Sequence, residues 1–214
     1  MEFNNYKIEE FLKDLASSSP APGGGSTASL IAAIAGCLNN MVYSLTIGKK
    51  SFERLNDIEK NKMIKLEKEC KSFINECMVY MEEDRTCFNK LMDVYKLPKN
   101  TDEENAIRKK EIKNKTYEAM MAPLKVTREC LKFYDNIDFA IECGNKMLIS
   151  DAGVSASILN SAIESSIINV KVNLSSLKTE IFFNEINDEI SFIKEESLKR
   201  KNNILGKVDE CIYN

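Results

Sequence analysis

Apolar residues recur along most of the chain at the three- and four-residue spacings that are typical of amphipathic α-helices. No stretch of useful length alternates apolar and polar residues in the manner of a β-strand. The longest helical pattern runs from about 57 to 97 and repeats every seven residues, in two apolar seams that begin at Met63 and Leu66. Such a repeat favours close, nearly parallel packing of long helices, as in a bundle.

Prolines, glycines and capping residues divide this pattern into helices. Thr101 and Glu104 form a capping box after Pro98, and Pro123 is expected to end one helix and begin the next. Gly48 is expected to cap the second helix at its C-terminus. The predicted helices cover about 5–16, 26–47, 57–97, 102–121, 123–143, 150–177 and 178–201, with a short tail helix to 213. The pattern predicts an all-α fold, a single-domain bundle of about six to eight helices with long central helices, over residues 1–214.

A turn rich in proline and glycine separates the first two helices. Pro20 and Pro22 cannot continue a helix, because each ring fixes φ and removes a hydrogen-bond donor. Gly23 to Gly25 then let the backbone approach a ligand closely, and Ser26 is predicted to be the N-cap of the second helix. The free N–H groups at this helix end suit an anion or a carbonyl oxygen. The alternative is an ordinary turn.

Asp84 occupies an apolar seam position of the long helix, one heptad after Cys77 and one heptad before Leu91. An ionised carboxylate at such a position must be paired or hydrogen-bonded, or its pKa rises. We therefore interpret Asp84 as a candidate catalytic carboxylate. The alternative is a structural partner for a cation or a helix terminus of a neighbouring helix.

The helix predicted at about 150–177 carries a polar stripe. Asp151, Asn169 and Asn173 lie close to one face of it, because about 18 residues make five helical turns. Asp151 is the second candidate carboxylate, and the alternative is a first-turn acid that stabilises the helix. For the two asparagines, substrate binding and inter-helix hydrogen bonding both stay open. Lys49 follows a predicted helix C-terminus, where it either binds an acidic substrate or stabilises the helix end.

Composition argues against several classes of function. The net charge is −3 and no dense basic cluster is present, which argues against a nucleic-acid-binding surface. The chain has no histidine, so acid–base chemistry must rest on carboxylates or other groups. Seven cysteines without a CxxC pair indicate buried, reduced thiols in the cytoplasm. The N-terminus is unlike a signal peptide and the longest apolar stretch is too short for a membrane span, so no membrane partner is expected.

Two blocks of sequence resemble a known family. The first is LASSSPAPGGGSTAS at 15–29, followed by MVYSLTIGKK at 41–50. The second is SDAGVSASILNSAIESSIINVKVNLSSL at 150–177. Together they are similar to the cyclodeaminase/cyclohydrolase family, which includes the cyclodeaminase half of formiminotransferase-cyclodeaminase and stand-alone methenyltetrahydrofolate cyclohydrolases. The resemblance covers essentially the whole chain, although Thr27 to Ser29 and Asn39-Asn40 are more polar than the family pattern.

The resemblance implies a folate substrate, a homodimer with sites at or near its interface, and no metal or redox cofactor. A carboxylate would offset the cationic one-carbon centre and transfer protons, with Asp84 as the first choice for this role and Asp151 as the second. The glycine turn would hold polar groups of the substrate, and Lys49 would lie toward its glutamate carboxylates. The predicted substrate-binding residues are Ser17, Pro22, Gly23, Gly24, Gly25, Ser26, Lys49, Asn169 and Asn173.

Within this family the leading interpretation is a methenyltetrahydrofolate cyclohydrolase, because no formiminotransferase domain is fused to this chain. The alternative is a formiminotetrahydrofolate cyclodeaminase, with the transferase supplied by a separate chain. A third hypothesis, from a different class, is a non-catalytic helical interaction protein. It suits the heptads, but it gives no reason for the PAPGGGS turn or for Asp84 in an apolar seam.

Overall fold

The computed structural model describes residues 2–213, apart from the side chain of Asn4. Met1 and Asn214, the ends of the predicted domain, lie outside the described residues. Over this range the chain forms α-helices and short 3-10 turns and no β-strand, so the predicted all-α bundle is confirmed. The helices are α1 (Ile8–Leu15), α2 (Gly24–Ser44), α3 (Lys50–Glu53), α4 (Asp57–Tyr95), α5 (Asp102–Cys143), α6 (Ile149–Leu174) and α7 (Phe183–Tyr213).

The four helices α2, α4, α5 and α6 form the centre of the molecule, each packed on the next and α6 packed back on α2. Neighbouring helices run antiparallel. Between α2 and α6, for example, the Ser155 hydroxyl donates to the carbonyl oxygen of Ala35 at 2.7 Å, whereas Asn169 lies beside Gly24. The seventh helix covers α5 and α6, and it adds the Arg128–Glu189 ion pair to its apolar contacts.

Small residues allow α2 to lie at the centre of the bundle. Ala32 and Ala35 are fully buried, and a Cβ atom added to Gly36 would come within 2.9 Å of Ile74. By length and composition alone α2 is apolar enough to cross a membrane, with a mean hydropathy of 1.2 over its best window. Because 56% of that window is buried inside the molecule, the same composition also fits the core helix of a bundle.

The heptad pattern of α4 is confirmed over most of the helix. Asn56 and Glu59 form a capping box at its start, and both seams are buried as far as Tyr80. From Asp84 onward the seam positions are only partly buried, with the exception of Leu91. The pattern therefore predicted the helix correctly but did not show where its helical partners end.

One long helix replaces the two that were predicted on either side of Pro123. The Thr101–Glu104 capping box forms as predicted, and α5 then continues through the proline. Proline has no N–H to donate to the carbonyl oxygen of Ala119, four residues earlier. The side-chain amide nitrogen of Asn173 donates to that carbonyl at 3.1 Å instead. A hydrogen bond from a neighbouring helix thus replaces the one that the proline removes, which explains why the predicted break was wrong.

The ends of the chain also depart from the predictions. In α1, Phe11 is buried with Phe3 and Met81, but Ile8 and Leu12 are 81% and 57% exposed, so only part of the apolar face of this helix packs. The predicted tail helix is continuous with α7, because the buried stripe extends through Ile204 and Val208.

Two smaller predictions were wrong. Gly48 has a positive φ of 73°, but it does not cap α2, which ends earlier with Leu45 as its C-cap. All seven cysteines are free, but Cys37 and Cys211 are exposed rather than buried.

Candidate active site

A cleft opens where α2 begins. Because α2 is antiparallel to α4 and begins at Gly24 beside Asp84, the last three turns of α4 extend beyond it. The resulting cleft has a volume of about 420 Å³. It is lined by Pro20, Ala21 and Gly23 to Gly25 of the turn, by Asp84, Arg85, Phe88, Leu91, Met92 and Tyr95 of α4, by Thr116 and Ala119 of α5, and by Asn169, Val172, Asn173 and Ser176 at the end of α6.

The glycine turn enters α2 without a side-chain cap. Gly23 is the N-cap, in an extended conformation, and the preceding Ala21–Pro22 peptide bond is cis. Ser26 lies inside the first turn of the helix, so its prediction as N-cap was wrong. The first N–H groups of α2 therefore have no acceptor within the helix. Since Gly24 and Gly25 line the cleft, this helix terminus is available to a polar group bound there.

Two glycines of the turn make room for two polar side chains. A Cβ atom at Gly25 would lie 2.0 Å from Oδ1 of Asp84, so the carboxylate packs directly on the glycine backbone. A Cβ atom at Gly24 would lie 3.3 Å from both terminal atoms of the Asn169 amide. The turn thus lies between Asp84 of α4 and Asn169 of α6. Any side chain at position 25 would overlap the Asp84 carboxylate and prevent this arrangement.

Asp84 lies in an environment that disfavours its charge. Burial raises the pKa of its carboxyl group above the usual 3.8, and hydrogen bonds from the hydroxyl and the backbone N–H of Ser26 partly offset this effect. The Ser26 hydroxyl lies 3.0 Å from Oδ2 of Asp84, and it is itself fully buried. A carboxylate of raised pKa inside a cleft is a candidate for taking up and releasing a proton during a reaction.

The two asparagines of α6 lie in the same cleft, about one turn apart. Asn169 donates through its amide nitrogen to the carbonyl oxygen of Ser165, and Asn173 donates to the carbonyl oxygens of Ala119 and Asn169. Inter-helix hydrogen bonding, which the sequence left open, is therefore present for Asn173. It does not exclude a role toward a ligand, because both side chains line the cleft.

Sequence reasoning missed the apolar wall and the cation of the cleft. Phe88, Leu91 and Tyr95 follow Asp84 at helical spacing, but only Leu91 belongs to the predicted apolar seams. Arg85 also lines the cleft, with its guanidinium paired to Glu82 at 2.5 Å and stacked 4.7 Å above the ring of Phe3. These contacts tie the N-terminal segment to the edge of the cleft.

Several predicted site residues lie elsewhere in the subunit. Lys49 lines a second cleft with Lys50 and Arg54, at the opposite end of α2, which is about 30 Å long. Asp151 is in the first turn of α6, about 27 Å along that helix from Asn169. The structure does not bring either one to Asp84 within a subunit.

Three further predicted residues, Ser17, Pro22 and Ser26, lie near the turn but do not line the cleft. Ser17 is exposed and donates to the carbonyl oxygen of Asp14 at 2.7 Å, and Pro22 is buried behind the turn. The substrate-binding role of these residues stays a prediction. In the part of the chain that the structure describes, no group of three or more Cys, Asp and Glu side chains is arranged to hold a metal ion.

Comparison with known proteins identifies the family. Residues 7–192 match the family described as formiminotransferase-cyclodeaminase. The chain belongs to this family. A methenyltetrahydrofolate cyclohydrolase from Methylorubrum extorquens is 38% identical to it over 151 residues, which are 71% of each chain.

More distant members of the formiminotransferase-cyclodeaminase family share the same region. The formimidoyltransferase-cyclodeaminase of Rattus norvegicus is 28% identical over 72% of this chain, but the match covers only 28% of the rat protein. The crystal structure of formiminotetrahydrofolate cyclodeaminase from Thermotoga maritima matches with a TM-score of 0.77 at 22% identity, over 97% of this chain and 96% of that one. This last likeness is one of fold.

Substitution of Gly25 tests the contact between the turn and Asp84. We expect Gly25→Ala to destabilise the protein by about 1–3 kcal/mol, because the new methyl group overlaps the carboxylate. Gly206→Ala is the matched control, since Gly206 lies inside α7 with open space around it, and it should stabilise by about 0.5–1 kcal/mol. Urea unfolding measures both. Adding Asp84→Ala should remove most of the Gly25→Ala penalty, and a penalty that persists in the double variant would contradict the contact.

The raised pKa of Asp84 predicts how stability depends on pH. As pH rises, the carboxyl group of the unfolded chain loses its proton first, so the folded state loses stability between the usual value of 3.8 and the raised pKa, and does not regain it at higher pH. Asp84→Asn removes this loss. We expect the variant to unfold at a higher temperature than the wild type at neutral pH, with a difference that shrinks below about pH 3.8. A variant that is less stable at every pH would show that the carboxylate is structural.

Proposed function

We propose that the protein hydrolyses 5,10-methenyltetrahydrofolate to 10-formyltetrahydrofolate, and that its cleft is the active site. The observation that carries this proposal is the half-buried carboxylate of Asp84, with its raised pKa, packed on the glycine turn. The name of the M. extorquens relative, methenyltetrahydrofolate cyclohydrolase, supports the choice of reaction. The reacting carbon is cationic, and the reaction needs proton transfers. A carboxylate can offset the positive charge and can also transfer the protons.

The proposed steps balance as a hydrolysis. Water adds to the carbon between N5 and N10 and gives up a proton to the carboxylate of Asp84, which also offsets the positive charge of that centre. In the tetrahedral adduct the bond from carbon to N5 breaks, N5 takes a proton, and the hydroxyl group loses its proton as the carbonyl forms. The products are 10-formyltetrahydrofolate and one released proton. Asp84 is the group that exchanges protons in this scheme, and Ser26 orients it by donating to Oδ2.

The rest of the cleft fits the parts of a folate. The apolar wall of Phe88, Leu91 and Tyr95 offers faces for the aromatic rings, and the free N–H groups of Gly24 and Gly25 offer donors to carbonyl or carboxylate oxygens. Arg85 is a cation at the same cleft. Arg85 would bind the glutamate carboxylates of a folate in this cleft, because Lys49 of the same subunit is too far from the cleft to do so.

The second candidate activity is that of a formiminotetrahydrofolate cyclodeaminase. It is favoured by the fold match to the T. maritima protein of that name and by the name of the rat relative. In that reaction N10 attacks the formimino carbon on N5 and ammonia leaves, so the same carboxylate would move the protons. A non-catalytic structural bundle explains the cleft less well, because a half-buried carboxylate packed on a glycine lowers stability and would serve no purpose in it.

We also propose that two copies of the chain associate through the outward face of α2 and α6. These helices pack on each other and expose apolar side chains at helical spacing. The exposed fractions are 42% for Ile34, 45% for Leu45, 49% for Val154, 63% for Ile168 and 65% for Val172. A concentration of apolar surface on two neighbouring helices is typical of an interface. Since Val172 also lines the cleft, a second subunit here would border the active site.

The activity is tested by the loss of methenyl absorbance on purified protein. We expect turnover of 5,10-methenyltetrahydrofolate that Asp84→Asn lowers by about 100- to 10,000-fold, the usual contribution of a proton-transferring group. Glu83→Gln is the control, because Glu83 is one residue away on α4 but outside this cleft, paired with Lys125. It should retain activity. Methenyl formation with ammonia release from 5-formiminotetrahydrofolate, without hydrolysis, would make the protein a cyclodeaminase, and inactivity in both assays would refute the proposal.

The proposed interface is tested by measuring the molar mass of the protein with light scattering during size-exclusion chromatography. We expect the wild type to have twice the 24.3 kDa mass of the chain and Ile168→Arg to be a monomer, because the charge would be buried in the interface. Ile181→Arg is the control, since Ile181 is fully exposed and lies outside this face. A wild-type monomer, or a dimer that tolerates the arginine, would show that the face is not the interface.

A further inference from the structure

Pro123 interrupts the hydrogen bonding of α5 at the wall of the cleft. A proline inside a helix removes the donor that would bind the carbonyl oxygen four residues earlier, which here belongs to Ala119. Ala119 is buried and lines the cleft. A buried carbonyl oxygen without a hydrogen bond lowers the stability of the fold, so the Ala119 carbonyl needs a donor from outside α5.

Asn173 of α6 supplies that donor. Its amide nitrogen is 3.1 Å from the carbonyl oxygen of Ala119 and 3.2 Å from the carbonyl oxygen of Asn169. Because both neighbours are acceptors, only the nitrogen of the amide can face them, and the orientation of the group is determined. Within the described residues no donor contacts the amide oxygen of Asn173, whose side chain lines the cleft.

We propose that Pro123 is a positioning residue of the active site, which acts by making the Ala119 carbonyl bind the amide nitrogen of Asn173 and so leaves the amide oxygen of Asn173 as a fixed acceptor for the ligand. The proline does not touch the ligand in this scheme. With an N–H at position 123, Ala119 would bond within α5, and the amide of Asn173 would be held only by the carbonyl oxygen of Asn169 in its own helix, so it could rotate more easily. A fixed acceptor binds more tightly than a rotating one, because no orientation is lost on binding.

The class of ligand follows from the acceptor. An amide oxygen held in a half-buried cleft selects an N–H group, and a reduced pterin carries ring N–H groups and an amino group. This identification rests on the proposed folate substrate. The contact also discriminates against a ring that lacks the donor, because the carbonyl oxygen would then be desolvated without a partner.

The first test measures the dissociation constant of 5-formyltetrahydrofolate by calorimetry, which requires no turnover. We expect Pro123→Ala to weaken binding by about 2- to 10-fold, the value of one neutral hydrogen bond, while the thermal midpoint stays equal or rises because the helical bond to Ala119 is restored. Asn173→Ala should weaken binding by a similar factor, and the double variant should bind no more weakly than Asn173→Ala alone. Asn187→Ala, an exposed asparagine on α7, is the control and should bind as the wild type does.

Two results of this titration would overturn the inference. In the first, Pro123→Ala binds the folate with wild-type affinity. In the second, the factors for Pro123→Ala and Asn173→Ala multiply in the double variant, which would show that the two residues act independently.

A second test examines the link between the helices without any ligand. Asn173→Asp replaces the amide nitrogen by an oxygen, which cannot donate to the Ala119 carbonyl, so we expect a lower thermal midpoint than that of the wild type. In the Pro123→Ala background the carbonyl has its own helical donor, and most of that loss should disappear. An equal loss in both backgrounds would refute the link.

The two tests separate this inference from the proposed function. A protein that binds 5-formyltetrahydrofolate with the expected pattern of variants, but does not turn over 5,10-methenyltetrahydrofolate, would contradict the proposed reaction and support the role of Pro123. A wild-type protein that binds no folate would overturn the ligand assignment, whatever the midpoints show.

Discussion

The contact between the carboxylate of Asp84 and the backbone of Gly25 is the constraint on which the rest of the site depends. The carboxylate is 2.0 Å from the place that a Cβ atom at position 25 would occupy, so α2 can begin beside α4 only with a glycine there. The same approach brings Ser26 within hydrogen-bonding distance of Oδ2 and leaves the first N–H groups of α2 next to the acid. A half-buried acid, the hydroxyl group that donates to it and a helix N-terminus are thus brought together by one close backbone contact.

The cleft follows from unequal helix lengths in an antiparallel bundle. Where α2 faces α4, the seam positions of α4 are buried, as Cys70 and Cys77 show. Beyond Gly24 there is no α2 backbone to cover α4, and the same seam becomes the wall of a cleft. The helices α5 and α6 extend far enough to close its other sides with Ala119 and Asn173. No separate element is needed to build the pocket, because the bundle itself is open at one end.

The fold could be predicted from periodicity and capping, since the seams of α4 and the box at Thr101 and Glu104 are local signals. The candidate site could be predicted in part, because Asp84 breaks an apolar pattern that is otherwise regular. Other predictions failed where the outcome depends on a neighbouring helix. Pro123 was expected to break a helix, but a donor from α6 compensates for it, and no local signal reveals that donor.

Periodicity shows which residues share a face of a helix, but it does not show how far apart they lie along the helix axis. Asp151 and Asn169 share a face of α6, yet a shared face says nothing about the length of helix between them. Ser26 has a residue type that favours an N-cap, but where α2 packs closely on α4 the N-cap is Gly23, three residues earlier. In both cases the local sequence signal was real, but the packing of the helices determined where the residue lies in the molecule.

Three departures from local rules meet at this cleft, either directly or through a hydrogen-bond partner that lines it. A helix begins with consecutive glycines, an acid occupies an apolar seam, and a proline lies inside a helix of 42 residues. Each of these lowers stability where it stands. Exceptions spread at random over a bundle would have no common explanation. Their convergence on one pocket, through Gly25 to Asp84 and through Pro123 to Asn173, is expected of a fold that retains unfavourable features for the sake of a ligand.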